Sequence, residues 1–409
     1  MRKIIFIILT LFILTPLKGT AEDNGFRFDV SRDVIDIPIE LRNNLAVLPL
    51  YINDKGPFYF ILDTGVNTTI LTEPALAGFL NLNITETIMV YGLGGEGVVE
   101  AAVATGVDMS IRGIKGNNMD LIVIPEDILS FSETFGFPVF GILGHDFFKN
   151  FGVEISYADE RLTLYRNSNY RIRGGDDVIP IDIVQGKPYA SATLVGQNGN
   201  QMTTQLLIDL GASNPLYLNN TYVPLSETTM EGYLGRGISG NLLGQLGRIE
   251  SLIIGGSKID NLVVSYPDAN FLQFAGEQID WEGIIGGGIV KRFDLILDYT
   301  KEIMILRSNK HISEPFHTNL SGLEVISGGD DFSDFVIHYV RKGSTGYEAG
   351  IMPGDKIIEL NSRDGDSLDL EYILDELSGS PGDRINLTYS RNGETKEVTF
   401  RLREDLPFS

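Results

Sequence analysis

Short hydrophobic runs alternate with polar turns along most of the chain. Runs such as 46–52, 58–62 and 295–297 are rich in β-branched, aromatic and leucine residues, and turn residues such as 53–56 and 198–200 lie between runs. Closely spaced runs of this kind, with little helical periodicity, are typical of sandwiches and barrels. The pattern therefore predicts a mainly β fold.

The beginning of the chain has a different pattern. A basic start precedes an apolar run over 4–14, and a small-residue site follows at 19–21. This order is typical of a secretory signal peptide, and the run is shorter than the ~20 residues that a membrane-spanning helix needs. We therefore expect a signal peptide over 1–21 that is cleaved after Ala21, and no membrane span once it is removed.

The remainder of the chain contains an internal repeat. The segment 58–65 resembles 204–211, at an offset of 146 residues (204 − 58), and 141–157 resembles 283–299, at an offset of 142 (283 − 141). Repeats of this length indicate a duplicated structural unit. The two predicted units are 35–166 and 178–308.

Each unit places an Asp after a hydrophobic strand and a Gly two residues later, in Asp63–Gly65 and Asp209–Gly211. One such motif is an ordinary turn, but two equivalent copies can meet where the units pack about a pseudo-twofold axis. Two close carboxylates share one proton. The ionised one can then take a proton from water while the other donates to a substrate carbonyl, so Asp63 and Asp209 are the candidate catalytic pair.

These motifs resemble those of the retropepsin-like aspartic proteases of the pepsin and retropepsin clan. The two Asp-x-Gly loops carry the resemblance together with Gly141–Asp146 and Gly283–Gly286. It implies two tandem pseudo-twofold β-barrel lobes in one chain and an endopeptidase that activates water between two Asp, without a cofactor. Because one chain supplies both Asp residues, an oligomer is not required.

The resemblance also implies roles for residues around the pair. Support of the active-site loops is expected from Thr64, Gly65, Asn67, Gly211 and Ser213. Two positions depart from the family pattern: Asn67 stands where a hydroxyl is usual, and Leu210 stands where the family has Thr. Leu210 cannot supply its half of the hydroxyl cross-brace that links the two loops.

A glycine cluster lies between the anchors of each unit, at 92–97 and 235–240. Both clusters match G-x-G-x-x-G, but the strand-like 98–103 that follows the first argues against a dinucleotide site. Flexible hairpins that close over a substrate are expected instead. The expected flap residues are Tyr91, Gly94, Gly95, Tyr233 and Gly237. The two tyrosines fit packing on a strand face equally well.

A charge-rich linker near 307–319 precedes a third region, 320–405. Its motifs Glu348–Ile351 and Pro353–Ile358 resemble those of PDZ domains. The resemblance implies an α+β module that binds an extended peptide at a sheet edge. The expected groove residues are Gly322, Leu323 and Val325. A packing or positioning module is the alternative.

The amino-acid composition excludes several classes of partner and of catalytic chemistry. The chain has 409 residues, a formal net charge of −23, four His and no Cys. Its acidity argues against a nucleic-acid partner, which requires a basic face, and the absence of Cys excludes thiol catalysis and Cys-ligated metal. We therefore expect a polypeptide or peptide substrate and no metal. Export without disulfides favours a bacterial periplasmic or secreted protein.

Two alternatives to a protease stay open. Leu210 and Asn67 favour a catalytically weak or inactive peptide-binding protein on the same fold. The second alternative is a β protein that binds a small ligand or a glycan. This alternative would be favoured if the carboxyls of Asp63 and Asp209 were farther apart than one hydrogen bond, roughly 3 Å.

Overall fold

The structure of the chain is a computed structural model that describes residues 11–13, 25–92, 98–124, 129–219, 226–237, 240–268, 273–274, 277–278 and 282–406. The predicted signal peptide, 1–21, lies outside the described residues apart from a three-residue strand. The predicted flap residues Gly94 and Gly95 also lie outside them.

The described residues up to Arg166 form thirteen strands and three short helices, of which the first two strands precede the first repeat. In chain order the strands are β1 (Leu11–Ile13), β2 (Arg27–Phe28), β3 (Val34–Pro38), β4 (Glu40–Arg42), β5 (Leu45–Ile52), β6 (Lys55–Leu62), β7 (Ile70–Leu71), β8 (Asn83–Gly92), β9 (Val98–Ile111), β10 (Ile114–Val123), β11 (Gly141–Leu143), β12 (Phe151–Ser156) and β13 (Arg161–Arg166). The helices are α1 (Ala75–Phe79), α2 (Phe131–Phe135) and α3 (His145–Phe148).

The second repeat follows the same plan. Its strands are β14 (Asp177–Pro180), β15 (Asp182–Val184), β16 (Lys187–Val195), β17 (Gln201–Ile208), β18 (Leu216–Leu218), β19 (Thr229–Gly237), β20 (Gly240–Ile254), β21 (Ser257–Pro267), β22 (Gln273–Phe274), β23 (Glu277–Gln278), β24 (Gly283–Ile285), β25 (Phe293–Asp298) and β26 (Ile303–Ser308). Its helix is α4 (Gly287–Val290).

Each repeat closes a sheet into a barrel. The first lobe, which we define as β4–β11 with α1–α3, runs β8-β9-β10-β7-β11-β6-β5-β4, and β9 also pairs with β5. The second lobe, β15–β21 with β24 and α4, runs β19-β20-β21-β18-β24-β17-β16-β15, and β20 also pairs with β16. The two strand orders correspond element for element. The prediction of a mainly β fold is confirmed.

A six-stranded sheet, β14-β26-β25-β12-β13-β3, joins the two lobes. In its centre β12 pairs antiparallel with β25, and Glu154 is the direct partner of Ile296. These two residues are 142 positions apart (296 − 154), the offset of the repeat in this part of the chain. Equivalent residues therefore pair with each other, so the pseudo-twofold axis passes between Glu154 and Ile296.

The C-terminal unit is a separate sheet with two short helices. Its elements are β27 (Leu323–Gly328), β28 (Asp334–Val340), α5 (Thr345–Glu348), β29 (Lys356–Leu360), β30 (Arg363–Asp364), a 3₁₀ turn (Gly365–Ser367), α6 (Leu370–Leu377), β31 (Arg384–Arg391) and β32 (Glu394–Arg401). The sheet order is β27-β28-β29-β31-β32, which leaves β27 at an edge. Asp369 caps α6, and Leu370, Ile373, Leu374 and Leu377 bury its apolar face in the core.

Candidate active site

The two Asp-x-Gly loops occupy equivalent places in the two lobes. β6 ends at Leu62 and β17 at Ile208, so Asp63 and Asp209 are the first residues beyond each strand. The Asp63 N–H donates to the Leu143 carbonyl at 3.0 Å, and the Asp209 N–H donates to the Ile285 carbonyl at 2.9 Å. The strands β11 and β24 therefore hold both loops through the same backbone bond.

Glycines in the two apolar-apolar-Gly segments allow this close packing. A Cβ built on Gly144 would lie 2.8 Å from the Val66 carbonyl oxygen, and one on Gly286 would lie 2.6 Å from the Ala212 carbonyl oxygen. The next N–H groups then reach those carbonyls, His145 to Val66 at 2.9 Å and Gly287 to Ala212 at 2.6 Å. Both segments thus brace the loop that follows the Asp.

Each Asp-x-Gly loop lies against the carboxyl of the other. A Cβ on Gly65 would lie 2.8 Å from Asp209 Oδ2, and one on Gly211 would overlap the carboxyl of Asp63. Both carboxyls are 0% exposed and lie within hydrogen-bonding reach of each other. Since two carboxylates have no donor between them, a bond between Asp63 and Asp209 requires one shared proton.

The surroundings of Asp63 and Asp209 favour a proton on the pair of carboxyls. Burial raises the pKa of Asp63 well above its usual range, and the charge of Asp209 and the bond to it raise it further. The Gly65 N–H, which donates to Asp63 Oδ1 at 2.5 Å, acts in the opposite direction. The Gly211 N–H donates to Asp209 Oδ1 at 2.8 Å. Each carboxyl is therefore oriented by its own loop.

The hydroxyl of Thr64 forms hydrogen bonds to the backbone of the opposite loop. It donates to the Ile208 carbonyl at 2.6 Å and accepts from the Leu210 N–H at 3.0 Å. Leu210 is buried and has no hydroxyl to return the contact. The loops are consequently braced from one side, in keeping with the departure found in the sequence.

The other predicted loop residues lie at the boundary between the lobes. Ser213 is buried, and its carbonyl accepts from Asn44 Nδ2 at 3.0 Å. Asn67 Oδ1 is buried and has no hydrogen-bond partner among the described residues. A Cβ on Gly186, in the turn between β15 and β16, would lie 3.3 Å from that oxygen.

Lys187 is a residue near the pair that the sequence analysis did not single out. It is 2% exposed, and its positive charge interacts with the carboxyls of both Asp63 and Asp209. The strand registers make it equivalent to Leu45, because Tyr189 pairs with Leu207 as Val47 pairs with Ile61. The sequence repeat did not mark it, since the offset of 146 at the neighbouring anchor aligns Lys187 with Leu41 (187 − 146).

The structure describes more of the second predicted flap hairpin than of the first. Tyr91 belongs to β8, and its side chain is outside the described residues. Tyr233 is buried in β19, and its ring centroid lies 5.5 Å from that of Tyr339 and 5.8 Å from that of His338. Gly237 ends β19 opposite Gly240. Tyr233 thus packs a strand face against the C-terminal unit.

The predicted groove residues lie on or beside the edge strand β27. Leu323 and Val325 are buried in the core of the C-terminal unit, and Gly322, with φ +71°, precedes the strand. The first lobe contacts this edge through α2, where Ser327 Oγ donates to the Glu133 carbonyl at 2.8 Å. Residues next to α2 and α6 also meet, because a Cβ on Gly136 would lie 3.3 Å from Leu370.

The described residues contain neither a metal-binding cluster nor a membrane-spanning helix. No group of three or more His, Asp or Glu that could hold a metal ion occurs among them. In the same part of the chain, no helix is long and apolar enough to cross a membrane.

Residues 48–147 match the family model described as aspartyl protease. This segment contains Asp63, Gly65 and the Gly141–Gly144 brace. The match supports a hydrolase of the aspartyl protease type.

Other comparisons cover parts of the chain. A carboxy-terminal processing protease, CtpB, from Bacillus subtilis is 24% identical over 32% of this chain and 27% of its own length. A putative zinc metalloprotease from Lactococcus lactis is 32% identical over 19% of this chain and 18% of its own length. The chain therefore matches less than a third of either relative. The aspartic proteinase from Irpex lacteus aligns with 69% of this chain and 99% of its own, at 12% identity and a TM-score of 0.42.

Proposed function

We propose that the chain is an aspartic endopeptidase that hydrolyses peptide bonds with water activated between Asp63 and Asp209. Two buried carboxyls within hydrogen-bonding reach, held by equivalent loops of a duplicated fold, carry this proposal. The family match over 48–147 supports the same chemistry. We further propose that 1–21 directs export and that the lobes correspond to 35–166 and 178–308.

The catalytic cycle follows from one proton shared by two carboxyls. One carboxyl of the pair holds the shared proton and the other, ionised, accepts a proton from water; Asp63 and Asp209 can exchange these roles until a substrate sets the polarity. The water oxygen attacks the carbonyl carbon of the peptide while the protonated carboxyl donates its proton to the carbonyl oxygen. The resulting diol then breaks its C–N bond: the carboxyl that took a proton from water passes it to the leaving nitrogen, and the other carboxyl takes a proton from a diol hydroxyl as the new carboxyl group forms. The pair is left with one proton again. No covalent intermediate forms.

Thr64 supports an active enzyme rather than an inactive binding protein. Its hydroxyl satisfies both the Ile208 carbonyl and the Leu210 N–H. The second loop is therefore hydrogen-bonded to the first although Leu210 has no hydroxyl. The absence of a threonine at position 210 removes one half of the brace and leaves the half that Thr64 supplies.

We propose that the C-terminal unit, 320–405, is a PDZ-like module with a positioning role. Its edge strand β27 is covered on one side by α2 of the first lobe, and the Tyr339 ring packs on Tyr233 of the second. Contacts with both lobes favour positioning over free capture of peptides. Peptide binding along Gly322, Leu323 and Val325 would require α2 to move away.

The test is cleavage of an unfolded polypeptide from acidic to neutral pH by the wild type, Asp63→Asn and Asp209→Asn. We expect the wild type to cleave and both variants to lose ~10²–10⁴-fold in kcat/KM, the contribution typical of a positioned acid or base. Asp54→Asn is the matched control, since Asp54 is exposed in a turn at φ 59°, which Asn tolerates. Equal background cleavage by all four proteins would exclude the protease and leave the binding protein.

A further inference from the structure

Lys187 is a charged residue in an otherwise apolar structural position. It begins β16, immediately after the turn at Gln185 and Gly186. Its equivalent in the first lobe, Leu45, is fully buried in an apolar cluster that includes Val66 and Ile70. A lysine that is 2% exposed needs a compensating negative charge nearby.

The turn that carries Lys187 is wedged against the first lobe. A Cβ on Gly186 would lie 3.1 Å from the His145 ring and 3.3 Å from Asn67 Oδ1, and the φ of Gly186 is +79°. Only glycine fits this conformation and this spacing without strain. The backbone of Lys187 is therefore fixed relative to the loops of both lobes.

Strand pairing places Lys187 beside the pair: β16 runs antiparallel to β17 with Tyr189 opposite Leu207, so that Lys187, two residues earlier, falls opposite Asp209. The ammonium acts on both members of the pair. The charge of Lys187 lowers the pKa of Asp63, against the larger effects of burial and of Asp209. Burial lowers the pKa of Lys187 to about 8, and the charges of Asp209 and Asp63 oppose this shift. Lys187 is consequently charged at neutral pH and below.

The tyrosines and the histidine around the pair are neutral near pH 7. Burial raises the pKa values of Tyr189, Tyr217 and Tyr299, and burial lowers that of His145. Near His145, the ion pair Asp146–Lys149 spans 3.4 Å, and burial raises the pKa of Asp146 to about 6.

Charge balance then selects one protonation state. A buried cluster is most stable when its net charge is zero, because each uncompensated charge loses its solvation. Two carboxyls without a cation are neutral only when both are protonated, and that form has no base for water. With one ammonium added, the neutral state has a single proton on the pair, which is the form that the hydrolysis requires.

We propose that Lys187 is a positioning residue for the dyad, whose ammonium keeps Asp63 and Asp209 singly protonated at pH values where burial alone would protonate both. This inference rests on the proposed peptidase for its role in catalysis. The charge coupling itself does not depend on catalysis.

The test compares Lys187→Met with Lys187→Arg across the pH profile of kcat/KM for polypeptide cleavage. Removal of the cation raises the pKa for the first deprotonation of the dyad. The acid limb of the Lys187→Met profile should therefore move to higher pH by on the order of one unit. At acidic pH this shift lowers kcat/KM about tenfold. Lys187→Arg keeps the charge and should keep the wild-type limb. If the Met variant does not fold, Lys187→Gln replaces it.

A second readout does not need activity. The C=O stretching band of the protonated dyad, assigned by its change in Asp63→Asn and Asp209→Asn, can be titrated by infrared difference spectroscopy. We expect its titration to move to higher pH in Lys187→Met.

Unchanged titration and an unchanged acid limb would overturn the inference. So would equal shifts in the Met and Arg variants, or higher activity of Lys187→Met at every pH, which would mean that Lys187 obstructs the site. An inactive wild type with a shifted dyad titration would remove the peptidase and retain the charge coupling.

Discussion

The two lobes share their backbone and differ in the side chains that control protons. Both loops are held by the same N–H to carbonyl bonds, Asp63 to Leu143 and Asp209 to Ile285. In contrast, the first lobe has Thr64 and Leu45 where the second has Leu210 and Lys187. The backbone bonds define where the carboxyls lie, and these bonds tolerate many side chains. The site needs the hydroxyl brace and the positive charge only once each. The first lobe supplies the brace through Thr64, and the second lobe supplies the charge through Lys187.

The largest effect should come from filling the space between the loops. Gly211→Ala would place a methyl group on the Asp63 carboxyl, and Gly65→Ala would place one 2.8 Å from Asp209 Oδ2. We expect both to reduce kcat/KM by at least ~10²-fold, since displacement by about 1 Å has that effect, with Gly211→Ala the more severe. Gly78→Ala, in an exposed helix with open space around the Cβ, is the control. Equal losses of kcat/KM in Gly65→Ala and Gly211→Ala would contradict the tighter packing of Gly211 on the opposite carboxyl.

Removal of the single-sided brace should have the next largest effect. Thr64→Val keeps the shape but leaves the Ile208 carbonyl and the Leu210 N–H unsatisfied in a buried site. We expect a loss of about 2–6 kcal/mol in the free energy of unfolding, from ~1–3 kcal/mol for each of the two unsatisfied groups, measured by denaturant titration. Thr64→Ser keeps the hydroxyl and should lose far less. Equal stability of the Val and Ser variants would show that the hydroxyl does not brace the loops.

The smallest effect should come from the contact between the second hairpin and the C-terminal unit. Tyr233→Leu removes the ring that packs on Tyr339 and His338, and an aromatic pair adds about 1 kcal/mol beyond its buried area. We expect faster amide hydrogen exchange in β19 and β20, and little change in β8 and β9. Tyr233→Phe keeps the ring and should exchange like the wild type. Uniform acceleration across both hairpins would contradict an anchor confined to the second.

Local motifs predicted the fold class and the residues that meet at the pair. The repeat aligned Asp63 with Asp209, and the Gly141–Gly144 motif marks a strand too closely packed for side chains, since a Cβ on Gly141 would overlap the Ile70 carbonyl. Such features recur twice in the sequence and are therefore visible without a structure.

Features that depend on distant packing could not be predicted in this way. Lys187 looks like an ordinary strand-start lysine, which is usually exposed, and its burial follows from the turn at Gly186 meeting the other lobe. That Thr64 makes both bonds of the brace depends on the distance between loops from different lobes. The contact of Ser327 with Glu133 joins segments 194 residues apart, and no local pattern encodes it.

The ladder between β12 and β25 restricts how the molecule can open. Because the two lobes share backbone hydrogen bonds from Val153 to Ser156, they cannot swing apart as rigid bodies about a hinge without breaking that ladder. Separation of the two lobes is therefore not the route by which the proposed peptidase would admit a substrate. The same ladder ties the two halves into one cooperative folding unit, and its large sequence separation favours slow folding, because the chain must close a long loop before the ladder can form.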